Sequence, residues 1–190
     1  MEAMLSVLLP RILGAEVTYR FHDLGGKWSL LTKLEKRLKG YAEWIPDDYR
    51  ILILVDRDSD DCKELKKRIC ESISAAGLTH KSEVPVGQMY QCAIRIPIEE
   101  LEAWLFGDCP AIRAVYPKVP SALENKSKFR DPDAIAGGTW EQLERVLQRA
   151  GYHLGGLPKV EVAAEIAEHM DVWSNKSRSF GAFRDLVISL

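Results

Sequence analysis

The sequence predicts an α/β fold, with a mostly parallel sheet flanked by helices and a helical C-terminal extension. Helical and strand patterns alternate through the first half of the chain. The apolar run RILILVD at residues 50–56 lacks alternation, which is typical of a strand covered on both faces. After residue 108 the sequence becomes rich in Pro, Lys and Gly and then shows helical patterns. We therefore predict an α/β core over residues 1–108, and a loop-rich connector with C-terminal helices packed on the core over residues 109–190.

The elements of the first half follow from their periodicity. MEAMLSVLLPRIL (1–13) has apolar residues at helical spacing and predicts a helix ended by Gly14. AEVTYRFH (15–22) alternates between apolar and polar residues and predicts a strand. WSLLTKLEKRLKGYAEWI (28–45) has leucines on one helical face and basic residues mostly on the other. The run at 50–56 then predicts a central, parallel strand.

The next segments continue the alternation. DDCKELKKRICESISAAG (60–77) predicts an amphipathic helix, SEVPVG (82–87) a short strand, MYQCAIRIPI (89–98) a strand, and PIEELEAWLFGD (97–108) a short helix. Residues 109–138 predict a loop-heavy connector. Three helices are predicted after it, in TWEQLERVLQRAGY, KVEVAAEIAEHM and SRSFGAFRDLVISL.

Composition limits the classes of function. The chain has 26 Lys and Arg against 28 Asp and Glu, a net charge of -2, so a site for a polyanion must be a local patch. The four cysteines form no CxxC pair, which favours reduced thiols in a cytoplasmic protein. The chain lacks an apolar run long enough to cross a membrane, and its start lacks the basic region and cleavage site of a signal peptide. We therefore expect a soluble cytoplasmic protein.

Four carboxylates crowd the segment that follows the apolar run. Asp56 and Asp58 leave the end of the predicted strand on the same side, because residues i and i+2 of a strand point the same way. That end is where open α/β sheets bind ligands, and two carboxylates there suit Mg²⁺ or Mn²⁺. Asp60 and Asp61 begin the next helix, where capping and the helix dipole stabilise negative charge. A solvated acidic loop at a helix start is the alternative.

Sharper motifs can be tested on the same residues. A calcium-binding EF-hand loop would require Gly at position 61 and Glu at position 67, and the chain has Asp61 and Lys67 there. A haloacid-dehalogenase-type phosphatase matches loosely, with Asp56 as nucleophile. A nucleotide-sugar transferase with an Asp-x-Asp motif stays open, although no companion motif accompanies it.

A second acidic cluster follows the strand predicted at 89–98. It contains Glu99, Glu100 and Glu102. Acids after Pro97 are typical of a helix N-terminus. Alternatively, one of these side chains completes a metal site with Asp56 and Asp58. Glu99 and Glu102 are three positions apart and would share a helix face.

Basic residues in three places could hold phosphates. Lys27 follows the pair Gly25–Gly26, whose backbone N–H groups could join it in binding a phosphate, although an ordinary turn explains the glycines equally well. The segments NKSKFR and NKSRSF mix cations with Asn, Ser and Phe, residues that can pair phosphates and stack bases. Solvated loops are the alternative for both segments, and Phe180 and Phe183 fit a core. The resulting nucleic-acid-binding candidates are Lys27, Lys126, Lys128, Arg130 and Arg178.

The ordered set of motifs ILILVDRDSDDCKELKKRI, RIPIEELEAWLFGD and LPKVEVAAEIAEHMDVWSNKSRSFGAFRDLV resembles the DUF4276 family, a bacterial family described as Toprim-like. The upstream segment FHDLGGKWSLLTKLEKRLKGY fits as well, so the resemblance covers nearly the whole chain. It implies a Toprim-like fold, in which an Asp-x-Asp at a strand end and a Glu on an earlier strand bind Mg²⁺ for phosphodiester chemistry.

Position by position, the resemblance implies Asp56 and Asp58 as metal ligands and catalytic residues. It also makes Lys27, Glu99, Glu102 and Arg178 site neighbours, with Glu99 and Glu102 as further catalytic candidates. A Toprim domain begins with a strand that ends in a catalytic Glu, whereas this sequence begins with the helix that should follow. Two alternatives stay open: the natural protein carries this strand and its Glu upstream of Met1, or it lacks the general acid/base. The sequence as it stands is expected to bind a metal and catalyse poorly.

Two functions from different classes follow. The first is a Mg²⁺- or Mn²⁺-dependent nuclease acting on nucleic acid, which the family resemblance connects with phage defence. The second is a non-catalytic, Toprim-like partner of an ATPase that docks through its C-terminal helices. Small phosphate-ester hydrolysis is a further alternative. The predicted partners are nucleic acid, an ATPase protein and a second copy of the chain in a homodimer, with no membrane partner.

Overall fold

The computed structural model describes residues 1–57, 60–85, 87–97 and 102–190. It divides the chain into two compact units: a sheet unit, His22–Pro97, and a helical unit, Met1–Phe21 with Ile98–Leu190. This division differs from the boundary predicted at residue 108, because the first helix groups with the C-terminal helices. The fold is mixed, 54% helical, with a short two-stranded parallel sheet flanked by helices. The mixed α/β class and the parallel pairing are therefore confirmed.

The helices and strands of the described residues follow in chain order. They are α1 (Glu2–Leu13), α2 (Gly26–Ala42), β1 (Ile51–Leu54), α3 (Cys62–Ala75), β2 (Cys92–Arg95), α4 (Ala103–Phe106), α5 (Cys109–Val115), α6 (Thr139–Arg149), α7 (Lys159–His169) and α8 (Arg178–Ile188). Four 3₁₀ turns accompany them among the described residues, at Lys81–Glu83, Leu123–Asn125, Ser127–Phe129 and Pro132–Ala134.

The core of the sheet unit explains why these segments fold as they do. In the sheet, Ile51 lies opposite Cys92 and Leu54 opposite Arg95. The apolar stripes of α2 and α3 repeat every three to four residues, so each helix buries one face. The buried residues that form this core are Leu34, Leu38, Ile53, Val55, Leu65, Ile69, Ile73, Ala76, Leu78 and Cys92.

Two predicted strands are wrong. Residues 15–22 form neither helix nor strand, and Val17 and Tyr19 on the apolar side of the pattern are 47% and 38% exposed. An alternating segment becomes a strand only when a partner strand and a core accept it. In the segment 82–87, which the sequence predicts as a short strand, Ser82 and Glu83 belong instead to the 3₁₀ turn Lys81–Glu83. Val86 lies outside the described residues.

Aromatic side chains dominate the core of the helical unit. Trp104 is fully buried and lies 4.7 Å from Phe183 and 5.3 Å from Phe180, centroid to centroid. The predicted core role of these two phenylalanines is confirmed. The segment predicted as a loop-heavy connector contains α5 and three of the 3₁₀ turns. The three predicted C-terminal helices are present as α6, α7 and α8.

Helix α1 packs on α7 and α8 and buries the apolar face formed by Met4, Leu5, Leu8, Leu9 and Ile12. One polar side chain also links it to the end of α7. The Arg11 guanidinium donates hydrogen bonds to the carbonyl oxygens of Ala167 at 2.8 Å, Glu168 at 3.3 Å and Met170 at 2.5 Å. The last carbonyls of a helix have no intrahelical partner, and a cation there also complements the helix dipole. The buried apolar face and these hydrogen bonds together make the N-terminal helix part of the helical unit.

Two class-level expectations can be compared with the structure. Within the part of the chain that the structure describes, no helix combines the length and apolar character needed to cross a bilayer. None of the four cysteines forms a disulfide: Cys62 is exposed, Cys70 half-buried, and Cys92 and Cys109 buried.

Candidate active site at the carboxyl end of the sheet

The carboxyl ends of β1 and β2 lie side by side, and their backbone pairing continues past both strands. Val55 N–H donates to the Arg95 carbonyl at 3.2 Å, and Arg57 N–H donates to the Pro97 carbonyl at 3.4 Å. These bonds hold the segment after β1 in line with the segment after β2. Asp56 therefore leaves the sheet at the edge that the sequence predicts.

Lys27 reaches the same edge from the start of α2. Gly25 and Gly26 have φ values of 83° and 79°, a left-handed conformation that L side chains rarely adopt, and this turn places Lys27 in the first turn of the helix. The Lys27 ammonium donates to the Arg57 carbonyl at 3.2 Å and pairs with Asp60 Oδ2 at 2.7 Å. A cation from one segment and acids from another are thus brought together.

The neighbouring acids Asp60 and Asp61 have different roles. Asp61 is the N-cap of α3, and its Oδ1 accepts hydrogen bonds from the N–H groups of Lys63 at 2.8 Å and Glu64 at 3.0 Å. This confirms the capping predicted for one of the two acids. Asp60 instead pairs with Lys27. A pair in which one carboxylate is 49% exposed adds at most about 1 kcal/mol to stability, so its main effect is to position the lysine.

Asp56 is the member of the predicted metal-binding pair that the structure describes. Its side chain is half-buried and its Oδ1 oxygen is shielded from solvent. Asp58 lies outside the described residues. Among the residues described, no three or more His, Cys, Asp or Glu side chains form a group that could hold a metal. Mg²⁺ needs no such cage, since it often binds through one or two carboxylates, waters and substrate phosphates. Asp56, the described member of the predicted pair, is a carboxylate of the kind that such an open site uses.

The second acidic cluster falls largely outside the description. Glu99 and Glu100 lie among residues 98–101, which are not described. Glu102 belongs to the helical unit and occupies the position before α4, where its side chain makes no cap hydrogen bond. The proposed roles of Glu99 and Glu102 as catalytic carboxylates stay predictions.

The predicted basic residues of the helical unit lie on two loops. Lys126, Lys128 and Arg130 are exposed. Arg178 is 80% exposed and pairs with Asp131 at 2.9 Å. Of the two alternatives for the phenylalanines of these loops, base stacking is excluded for Phe129 and Phe180, which are 7% and 0% exposed, and the core role predicted for Phe180 holds. Base stacking needs an accessible ring face, and these rings are buried in the core.

Sequence reasoning missed two features of these sites. The Arg57 carbonyl, which accepts from Lys27, belongs to the backbone and leaves no residue-type signal. Lys176 was passed over within NKSRSF, although its neighbours Asn175 and Ser177 are half-buried and buried while it is exposed. A lysine between two small polar residues is a sequence signal for a loop whose polar neighbours are bound to the protein while the lysine faces solvent.

Comparisons with known proteins place the chain in one family. No curated protein and no solved structure matches it. The family model described as "Domain of unknown function (DUF4276)" matches residues 1–188 of the 190. The chain therefore belongs to the DUF4276 family, as the order of its motifs predicted.

Proposed function

We propose that this protein carries out Toprim-like, Mg²⁺-dependent phosphodiester chemistry on nucleic acid, as a nuclease that serves in phage defence. One observation supports this most strongly. The Lys27 ammonium approaches the backbone of Arg57, directly after Asp56, at the carboxyl end of β1. A carboxylate for a divalent ion and a cation for a phosphate at the ligand-binding edge of a parallel sheet form the minimum arrangement for phosphoryl chemistry.

Each residue has a distinct role in this proposal. Asp56 and Asp58 would hold Mg²⁺ or Mn²⁺, which when bound polarises a phosphate oxygen and makes water a stronger nucleophile. Lys27 offers a compact positive charge to a non-bridging phosphate oxygen. Asp60 keeps the ammonium near the strand end. Glu99 and Glu102 remain supporting carboxylates in the proposal, and Lys126, Lys128, Arg130 and Arg178 would contact the nucleic-acid backbone.

The first prediction compares two acids of the same segment. Asp56→Asn keeps the shape of the side chain but removes its charge, so we expect cleavage of plasmid and single-stranded DNA with Mn²⁺ or Mg²⁺ to fall by roughly a hundredfold or more. Asp61→Asn is the matched control. Asn caps a helix about as well as Asp, so this variant should cleave like the unmodified protein.

Calorimetric titration with Mn²⁺ gives a readout that does not depend on turnover. The unmodified protein and Asp61→Asn should bind the ion, and Asp56→Asn should lose that binding. Cleavage that persists in Asp56→Asn, or an unmodified protein that neither binds Mn²⁺ nor cleaves DNA, would contradict the proposed chemistry.

A second candidate function is a non-catalytic partner of an ATPase. Large apolar side chains of the C-terminal region, which this alternative uses for docking, favour it, because Leu154, Val160 and Trp173 are 74%, 62% and 62% exposed. Such residues are typical of protein interfaces when they form a patch. This alternative predicts no cleavage by any variant, together with co-purification of the ATPase encoded by a neighbouring gene.

A further inference from the structure

Two basic segments that are far apart in the sequence meet at one pocket of the helical unit. The pocket has a volume of about 380 Å³. One wall comes from the segment NKSKFR and the turn before it, and another comes from Lys176 of NKSRSF. The lining residues that matter here are Phe106, Glu124, Asn125, Phe129, Arg130 and Lys176.

The pocket has a surplus of positive charge. Its one acid among these lining residues, Glu124, pairs with Arg113 at 3.0 Å. Burial alone would raise the pKa of Glu124, but hydrogen bonds from the backbone and Arg113 bring that pKa below its ordinary value, so the carboxylate stays ionised and paired. Arg130 and Lys176 make no ion pair with any residue of the described ranges. Lys176 also lies near enough to Glu124 for its charge to help lower that pKa, so this carboxylate partly offsets the charge of Lys176. Two cations against one carboxylate still leave the lining with a net positive charge for an anion.

The apolar floor of the pocket restricts the kind of ligand. The Phe106 and Phe129 rings stack on each other, with centroids 5.1 Å apart and planes 7° apart, and both are buried. Their faces are engaged in the core, so they offer no platform for a base. Recognition must then rely on Arg130, Lys176 and the Asn125 amide. A guanidinium, an ammonium and an amide suit a phosphate group.

The backbone that presents Lys176 is anchored on both sides. Lys176 N–H donates to the Gly107 carbonyl at 2.8 Å. The Asn175 amide donates to the Trp104 carbonyl at 2.8 Å, and the Ser177 hydroxyl donates to Asp133 at 2.8 Å. A lysine on a solvated loop needs no such support. Because the cation starts from a fixed backbone, less conformational entropy is lost when a ligand orders its side chain.

We propose that this pocket binds a phosphate group of a nucleic-acid strand through Arg130, Lys176 and Asn125. Its volume lies near the lower end of the range for small-molecule sites, which suits a phosphate and part of its sugar better than a larger ligand. The choice of a strand, rather than a free nucleotide, rests on the proposed function. The same chemistry would bind either source, and the experiment separates them.

The test measures the affinity of the full-length protein for fluorescent single-stranded oligothymidine. Asp56→Asn without divalent ions serves as the background, so that cleavage cannot interfere. In that background, we expect Arg130→Gln and Lys176→Gln each to weaken binding roughly tenfold. Each should also reduce the magnitude of the slope of log K against log salt concentration by about one. Lys118→Gln and Arg145→Gln remove the same charges from exposed residues of the helical unit that do not line the pocket, so they should change affinity less than about twofold.

The outcomes distinguish binding in the pocket from diffuse charge attraction, and a nucleic-acid strand from a free phosphate. Equal losses in all four variants would overturn the pocket in favour of diffuse charge attraction, and unchanged binding in the two pocket variants would also overturn it. Pocket-dependent binding of a nucleoside monophosphate or inorganic phosphate, with oligothymidine unaffected, would overturn the assignment to a strand. Unchanged thermal unfolding of each variant must accompany these measurements. Binding that depends on the pocket in a protein that never cleaves DNA would contradict the proposed nuclease and support the pocket.

Discussion

Gly107 shows how closely single residues are constrained where α4 ends. A Cβ atom added to it would lie 2.0 Å from Asn175 Oδ1 and 2.9 Å from the backbone nitrogen of Ser177. The amide could turn away only by breaking its hydrogen bond to the Trp104 carbonyl, and the backbone atom cannot move freely. We therefore expect Gly107→Ala to lower the free energy of unfolding, measured in urea, by about 1–3 kcal/mol.

The control for this substitution lies inside α8. Gly181 is helical, and a Cβ added to it would meet nothing within 4 Å. Gly181→Ala should leave stability unchanged or raise it by about 0.5–1 kcal/mol, since alanine is the better helix former. If Gly107→Ala proved as harmless as Gly181→Ala, the close approach of these two segments would be wrong.

A contact of the site could be predicted from the sequence where its two partners are close together in the chain. The cap formed by Asp61 involves Lys63 and Glu64, so its local pattern was sufficient. The role of Asp60 depends on Lys27, which arrives from another segment, and neither residue type reveals that pairing. Strand periodicity placed Asp56 at the sheet edge, but no local rule specifies which distant cation accompanies it.

The 3₁₀ turn Lys81–Glu83 illustrates how one side chain begins an element. His80 Nδ1 accepts from the Ser82 N–H at 3.1 Å, which requires an unprotonated nitrogen. Burial lowers the pKa of His80 below its ordinary 6.5, with the nearby Lys66 charge adding to the effect. The unfolded chain therefore takes up this proton at higher pH than the folded protein does. The stability that neutral His80 contributes is present above pH 6.5 and is lost as the pH falls below it.

We expect the free energy of unfolding to depend on pH through His80. As the pH falls from 7.5 to 5.5, the free energy of unfolding measured in urea should decrease. The decrease should be smaller in His80→Asn, because Asn can cap the turn without titrating. One proton limits the slope to about 1.4 kcal/mol per pH unit. An equal decrease in His80→Asn would assign the effect to other groups, such as the remaining histidines.

Helices were more predictable than strands for a physical reason. Each helix satisfies its own backbone hydrogen bonds, so a long apolar stripe such as that of α3 is sufficient to identify it. A strand needs a neighbour. The continuous apolar run at Ile51–Leu54 pairs with β2, whereas residues 15–22, whose alternation is also typical of a strand, pair with none of the described strands.

The chain forms two compact units, each with its own core. One lies within His22–Pro97, and the other combines the N-terminal helix with the C-terminal half. The change of composition at residue 109 did not reveal this division, because it depends on long-range contacts such as those from Arg11 to the end of α7. Each core contains a buried cysteine: Cys92 in the sheet unit and Cys109 in the helical unit.

The thiols allow each core to be followed separately during unfolding. Burial raises the pKa of both Cys92 and Cys109 to about 12, so at pH 8 neither should react with a disulfide reagent until its unit opens. The exposed Cys62 should react at once in the folded protein. Peptide mass spectrometry along a urea series then yields a separate midpoint for each buried thiol.

Matched core substitutions test whether the two cores unfold independently. Ile69 and Ile166 are both 0% exposed, the first in the sheet unit and the second in the helical unit. Truncation of either to alanine should cost about 2–5 kcal/mol. Because each cavity weakens only the packing of its own core, Ile69→Ala should lower the urea midpoint for Cys92 and leave that for Cys109 unchanged, and Ile166→Ala should do the reverse. A common shift of both midpoints in either variant would mean that the chain unfolds as one cooperative structure.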